Sequence, residues 1–204
     1  MSYSPTNGAG PHEPDPSEPP PVLAAPPPAV AELCVACSRY VASKYGVALD
    51  GTPDTLSLVD QYVRDAREAV EERPDSIDLV AGAVGAYLGE VMRQAFGAEW
   101  FATGDHDGWR LYFSGVFLSF NPIGMAREAL TLSEHAGWNA HLSLDPGDEE
   151  DVHARLEAIP KVDDEEYYLP STRFDIVSIV VDFLLAKQRA AGLGDVRFTA
   201  DDYR

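Results

Sequence analysis

The stretch SIDLVAGAVGAYLGEVMRQAFG, residues 76–97, decides how the rest of the chain is interpreted. Its large apolar residues recur at helical spacing, which predicts one long helix that is buried on most of its surface. Gly82, Gly85 and Gly89 gather on the opposite face. Because each glycine costs a helix about 1 kcal/mol relative to alanine, we expect a second helix or a strand to pack closely against this smooth face.

The hydrophobic pattern changes from helical to alternating after this stretch. Alternation of apolar and polar residues predicts strands at 99–102, 109–113, 116–120 and 138–144. Helical spacing and capping residues predict helices at 29–45, 52–72, 122–135 and 148–159, with a last helix that begins at Ser171 or Thr172. The predicted fold class is therefore α+β, with five to six helices packed around a small antiparallel three- to four-stranded sheet.

The two ends of the chain are expected to lie outside the folded part. Residues 1–28 hold 10 of the 16 prolines and no lysine or arginine, a composition typical of a disordered, Pro-rich tail. We predict a single α+β domain at 29–193 and a frayed C-terminal tail at 194–204. The Pro-rich tail is interpreted as a plain extension, a tether, or a ligand for a proline-recognising groove.

Charge gives the main indication of a partner. The net charge is −19, and residues 145–166 contain ten acidic residues against one arginine and one lysine. This sign disfavours nucleic acids and anionic membranes and favours a basic protein partner. The alternative is a solvated acidic surface without a specific partner. The candidate partner-binding residues are Asp148, Glu149, Glu150, Asp151, Asp163, Asp164, Glu165 and Glu166.

Motifs that carry known chemistry are missing from the sequence. It contains no GxSxG nucleophile elbow and no glycine-rich phosphate loop. The pair Cys34 and Cys37 lacks the preceding strand of a redox motif, so we interpret both thiols as packing residues. Asp105-His106-Asp107 fits a turn better than a metal site, and residues 145–151 depart from the EF-hand pattern. We therefore expect no metal and no cofactor.

Two further groups of polar residues have alternative interpretations. His135 and His141 are interpreted as a helix-end residue and a strand residue rather than as the lining of one pocket. Glu90 and Arg93 adjoin a buried helix, and an ion pair with Asp175 or Asp182 between the two most apolar helices is the preferred interpretation.

The cellular compartment is predicted from what the sequence lacks. The N-terminus shows no basic residue followed by an apolar run, and no apolar stretch reaches the roughly 18 residues that a membrane span requires. Two cysteines without an export signal indicate a cytoplasmic protein.

One motif resembles something known. Gly85-Ala-Tyr-Leu-Gly-Glu90, followed by Trp100 and by Tyr168-Leu-Pro-Ser-Thr-Arg173, resembles small bacterial proteins of unknown function. In these proteins a Gly-rich helix that ends in Gly-Glu leads into a Trp-bearing strand. The resemblance covers residues 55–190. It implies a bacterial cytoplasmic protein and transfers neither an activity nor a catalytic residue.

The resulting functional hypothesis is a non-enzymatic acidic protein-interaction module, an adaptor or an immunity-like neutraliser of a basic partner. The alternative is a small enzyme or ligand-binding protein whose pocket lies near Glu90, Trp100, Arg110 and Arg173. A third possibility is a structural role inside a larger assembly, with the Pro-rich tail as the connector.

Overall fold

A computed structural model of the chain describes residues 24–203. Seven α-helices lie in this part of the chain: α1 (Pro28–Tyr45), α2 (Leu56–Glu72), α3 (Ile77–Phe96), α4 (Pro122–Thr131), α5 (Glu149–Glu157), α6 (Asp164–Tyr167) and α7 (Pro170–Ala190). Four strands form one antiparallel sheet in chain order: β1 (Ala98–Phe101), β2 (Arg110–Phe113), β3 (Leu118–Phe120) and β4 (Ser143–Leu144). The predicted α+β class is confirmed. The predicted Pro-rich tail lies, for residues 1–23, outside the described residues.

Helix α3 is the centre of the fold, as its sequence predicted. It packs most extensively against α4 and α1. At Gly85 the neighbouring backbone comes so close that a Cβ atom would stand 2.4 Å from the Cα of Ile123 in α4. The expected close packing against the glycine face is therefore confirmed, and α4 is the helix that provides it.

Helix α4 is held at this position by its first residues. The side chain of Asn121 accepts hydrogen bonds from the backbone N–H groups of Ile123 and Gly124, which caps the helix. The amide nitrogen of the same side chain donates to the carbonyl of His106 at 2.8 Å. One buried asparagine thus ties the start of α4 to the connection between β1 and β2.

The sheet presents two different faces. In β2, Leu111 and Phe113 are buried against the helices, whereas Arg110 and Tyr112 point to the other side. Phe96, at the end of α3, stacks on Phe113 and on Phe174 of α7, with ring centroids 6.0 and 5.2 Å apart. This contact joins α3, α7 and the sheet in one core.

Three local predictions differ from the structure. The predicted helix 122–135 ends at Thr131 because Leu132 adopts a left-handed conformation, with φ of 53°. The fourth strand is only two residues long, and Asn139 also has a positive φ, 49°, within its predicted range. Residues 164–167, expected in a loop, form helix α6, which Asp163 caps by accepting from the N–H of Glu166.

The expectation of a frayed segment after Gly192 is wrong. The N–H of Phe198 donates to the carbonyl of Ser114 at 2.9 Å. The hydroxyl of Tyr203 donates to the carbonyl of Phe113 at 2.7 Å and accepts from the N–H of Leu118 at 3.0 Å. Backbone groups of the β2–β3 connection, which sequence periodicity does not reveal, hold the segment in place.

Within residues 24–203, no helix combines the length and the hydrophobicity needed to cross a bilayer.

Candidate functional site

Half of the eight candidate partner-binding residues form ion pairs within the chain. Lys187 of α7 lies 2.8 Å from a carboxylate oxygen of Asp148 and 2.5 Å from one of Asp151. On α6, Glu165 pairs with Arg67 of α2 at 2.6 Å, and Glu166 pairs with Arg64 at 2.5 Å. These four carboxylates fasten α5 and α6 to the rest of the fold, so they are less available to a partner than the sequence suggested.

The other four candidates include three that remain open. Asp163 caps α6. Glu149 and Glu150 of α5 and Asp164 of α6 are exposed, and they form no ion pair with any other described residue. We call Glu149, Glu150 and Asp164 the acidic rim.

One residue of the acidic rim borders a cleft of about 290 Å³. Glu149, at the rim, is one of its lining residues. Most of the lining is apolar and comes from α4, α5, α7 and the residues around β4: Met125, Leu142, Leu144, Val152, Leu156, Ile176 and Val177. The remaining lining residues are His141, His153, Tyr167 and Arg173. Helix α5 therefore carries acidic residues on its outside and contributes apolar residues to a cleft on its inside.

A buried ion pair supports one side of this cleft. Arg173 of α7 donates to Glu128 of α4 at 2.9 Å, and their side chains are only 6 % and 1 % exposed. A second nitrogen of the guanidinium donates to the hydroxyl of Tyr167 at 3.2 Å, and the guanidinium lies 4.3 Å from the centre of the same ring. Arg173 is thus fixed in one orientation. It lines the cleft, whereas Glu128, its partner in the ion pair, does not.

The electrostatics of this pair are those of a desolvated site. Burial raises the pKa of Glu128, and the positive charge of Arg173 opposes that rise. The Oε1 atom of Glu128 and the Nε atom of Arg173 are buried without a hydrogen-bond partner among the described residues. Unpaired buried polar atoms of this kind cost about 1–3 kcal/mol each, which a bound molecule or water next to the pair would reduce.

Sequence reasoning missed the cleft and Glu128. The pattern that could have identified Glu128 is its position on a helix whose other inward residues are apolar, Met125, Ala129 and Leu130 among them. A single charged residue on such a stripe needs a buried partner. Arg173 was singled out for another pocket, and its pairing with Glu128 spans 45 residues of sequence.

The predicted ion pair between α3 and α7 is wrong. Arg93 donates to Glu90 through two nitrogens, both at 2.8 Å, so the pair forms within α3. Asp175 and Asp182 of α7 are exposed. Residues three apart on a helix are neighbours, so Glu90 can pair with Arg93 without a carboxylate from α7.

The four residues of the alternative pocket take separate partners. Glu90 pairs with Arg93, and Arg173 pairs with Glu128. Arg110 donates to backbone carbonyls of its own connection. The indole of Trp100 packs on α3 at Gly89. The structure therefore gives Arg173 a cleft of its own and does not join these residues in one site.

The cysteines behave as packing residues. Both are free thiols, and burial raises the pKa of Cys34 and of Cys37 to about 12. Neither is activated as a nucleophile, because the thiolate is the reactive form.

Across residues 24–203, no group of three histidine, cysteine or acidic residues is arranged to hold a metal ion. His106 packs edge-on against Trp109 with ring centroids 4.6 Å apart, and His135 contacts the hydroxyl of Thr131 at 2.8 Å. His141, interpreted as a strand residue, instead lines the cleft.

Comparison with known proteins places the chain in a family. The model of DUF6278, a family of unknown function, matches residues 12–117, which is more than half of the 204 residues. The chain therefore belongs to this family. The matched range contains α1, α2, α3, β1 and β2, and it ends before α4 and α7, which carry the Glu128–Arg173 pair.

No curated protein and no solved structure matches the chain. The family agrees with the expectation of a protein without an established activity. That the members of this family share a Gly-Glu helix followed by a Trp-bearing strand remains a prediction.

Proposed function

We propose that this protein is a non-enzymatic binding module that captures a basic protein partner. The acidic rim attracts the partner, and the cleft beside it takes an apolar side chain of the same partner. The observation that carries the proposal is the position of Glu149, which belongs both to the acidic rim and to the lining of the cleft.

The charge distribution supports this proposal. Three rim carboxylates are open in a chain of net charge −19, and an excess of one sign around a concave surface raises the rate at which an oppositely charged protein arrives. Charge alone gives rate rather than affinity. An adaptor or an immunity-like neutraliser needs both.

The cleft supplies the second part. Protein interfaces derive most of their affinity from a few apolar or aromatic anchors that enter desolvated pockets, with polar residues around them. Leu142, Leu144 and Leu156 give the cleft such a lining.

The free thiols of Cys34 and Cys37 are consistent with a reducing compartment, and we propose that capture takes place in the cytoplasm.

The experiment is a capture of partners from the native cell, identified by mass spectrometry at low and at moderate salt. The rim variant is Glu149→Lys, Glu150→Lys and Asp164→Lys. The control variant, Glu68→Lys, Glu72→Lys and Asp75→Lys, changes exposed residues of α2 and its C-terminal connection and alters the net charge equally.

We expect a basic partner that the wild type and the control variant retain at low salt and that the rim variant loses. Capture that falls equally in both variants would reduce the effect to overall charge and contradict the proposed surface. The proposal also fails if the wild type retains no basic protein at either salt.

A second candidate function is the binding of a small molecule in the same cleft. The buried Arg173, held in one orientation next to an apolar lining, favours a ring that carries a carboxylate or an amide. Benzoate and benzamide are suitable probes in a thermal-shift assay, with Leu156→Trp as the variant that fills the cleft. A rise in Tm in the wild type only would support this function, and no rise with either probe would reject it.

A further inference from the structure

Five aromatic rings form a continuous row on the side of the sheet that faces away from the core helices. The order is Phe101, Tyr112, Tyr203, Phe117 and Phe198, with ring centroids separated by 6.1, 4.5, 4.6 and 5.6 Å. Phe101 is 40 % exposed, and the other four rings are half-buried. We call these five residues the aromatic row.

The aromatic row borders a concave surface with polar groups. A cleft of about 460 Å³ is lined by Tyr112 and Tyr203 of the row and by Arg110, Ser119 and His141 among others. Arg110 is the register partner of Phe101, so a positive charge lies at one end of the row. Glu149 also lines this cleft.

Aromatic rows of this kind bind Pro-rich segments. A polyproline II segment is already extended, loses little entropy on binding and packs its proline rings against an aromatic-lined surface. Five rings spaced 4.5–6.1 Å apart match the length of about six or seven residues of such a segment, at about 3.1 Å per residue.

This chain contains such a segment outside the described residues. Residues 11–22, PHEPDPSEPPPV, hold six prolines together with Glu13, Asp15 and Glu18. Its acidic side chains carry the charge opposite to that of Arg110. The proposed function does not use this segment.

Helix α1, which follows the Pro-rich segment, lies near the end of the sheet that carries Phe101 and Arg110. Leu33, in the second turn of α1, and His106, in the connection between β1 and β2, both pack against Gly82 of α3. That connection begins directly after Phe101 and ends directly before Arg110. Five residues lie between position 22 and Pro28, the first residue of α1. The six steps along the chain that they provide can span roughly 20 Å at about 3.3 Å per residue, so the segment can reach the row.

We infer that residues 11–22 of the chain dock along the aromatic row of the same molecule. The prolines pack on the rings, and an acidic side chain pairs with Arg110. The proposal does not depend on the proposed partner binding at the acidic rim. Tethering provides an effective concentration in the millimolar range, which keeps even a weakly binding segment in place.

The experiment uses a nitroxide spin label on Ser17→Cys in the full chain and records the intensities of backbone amide signals by NMR. Cys37 is buried and Cys34 is half-buried, and burial raises the pKa of both thiols. The unsubstituted chain serves as the check that they take up no label. The docking variant is Pro19→Ala, Pro20→Ala and Pro21→Ala. The matched control is Ser4→Ala, Pro5→Ala and Thr6→Ala, which leaves residues 11–22 unchanged.

We expect the label to reduce the amide signals of Arg110 and Tyr112 by about threefold or more, since a tethered segment with millimolar affinity is bound roughly half of the time. The docking variant should restore the signals, and the control variant should not. These substitutions lie outside residues 24–203, and an unchanged Tm of both variants serves as the check that the fold is retained.

Full signals in the labelled wild type would overturn the proposal. A mixture of unlabelled ¹⁵N-protein and labelled ¹⁴N-protein tests the remaining alternative. Equal signal loss in that mixture would assign the contact to a second copy of the chain and overturn docking within one molecule.

Discussion

Gly89 of α3 and Trp100 of β1 lie in direct contact, and only the absence of a side chain at position 89 permits it. A Cβ atom there would stand 2.3 Å from Cζ2 and 2.5 Å from Cη2 of the indole. The motif that predicted this helix thus has a structural reason, because the glycine face receives the tryptophan and α4.

Three alanine substitutions on the glycine face should destabilise the protein to different degrees. Gly85→Ala meets backbone atoms of Ile123 and should cost about 3 kcal/mol or more, whereas Gly89→Ala meets a side chain and should cost about 1–3 kcal/mol. Gly82→Ala approaches only side chains, and the nearest is His106 at 3.2 Å, so the gain in helix propensity of about 1 kcal/mol should offset its cost. Urea denaturation measures the order, and equal losses in all three variants would contradict it.

The Glu128–Arg173 pair should show strong coupling. Arg173→Met or Glu128→Leu leaves one buried charge without its partner, which costs about 3–5 kcal/mol. The double variant removes both charges, so its loss should be far smaller than the sum of the single losses. A double-mutant cycle by urea denaturation measures this coupling, and additive losses would show that the pair is not formed.

The same pair should give stability a characteristic dependence on pH. Since burial raises the pKa of Glu128 above its ordinary value of 4.5, the folded chain binds more protons at this site than the unfolded chain. The stability that Glu128 contributes through this extra proton binding is fully present below pH 4.5. It is lost as the pH rises through the pKa of Glu128 in the folded chain. The free energy of unfolding of the wild type minus that of Glu128→Gln should therefore fall as the pH rises above 4.5. A difference that rises with pH would reverse the assigned direction.

Both cysteines should resist alkylation in the folded protein. Because burial raises the pKa of each thiol from 9.0 to about 12, the thiolate fraction at pH 8 falls by about three orders of magnitude. Iodoacetamide labelling followed by mass spectrometry should be slow in buffer and rapid in urea. Fast labelling of Cys34 in buffer would show that its side chain is open to solvent.

The sequence predicted the elements whose signal is local. The periodicity of residues 76–97, the stop at Gly46 and the proline at the start of α4 identified helices that the structure contains. The acidic segment was also recognised, together with residues of α5 and α6 that belong to the candidate site.

The rest depends on contacts between distant parts of the chain. Glu128 and Arg173 are 45 residues apart, and Tyr203 reaches Phe113 across 90 residues. Neither pair leaves a periodic pattern, because a single residue on each side suffices. The sequence likewise did not distinguish rim carboxylates from those neutralised by Arg64, Arg67 and Lys187.

The most direct test of the central claim is a selection of peptides from a displayed random library on the wild-type protein. The selected peptides are then measured against the rim variant, the control variant and Leu156→Trp. We predict peptides that combine lysine or arginine with one large apolar residue, that bind the control variant normally, and that lose binding to the rim variant and to Leu156→Trp. Peptides without basic residues, or peptides that bind the rim variant as tightly as the wild type, would contradict the account.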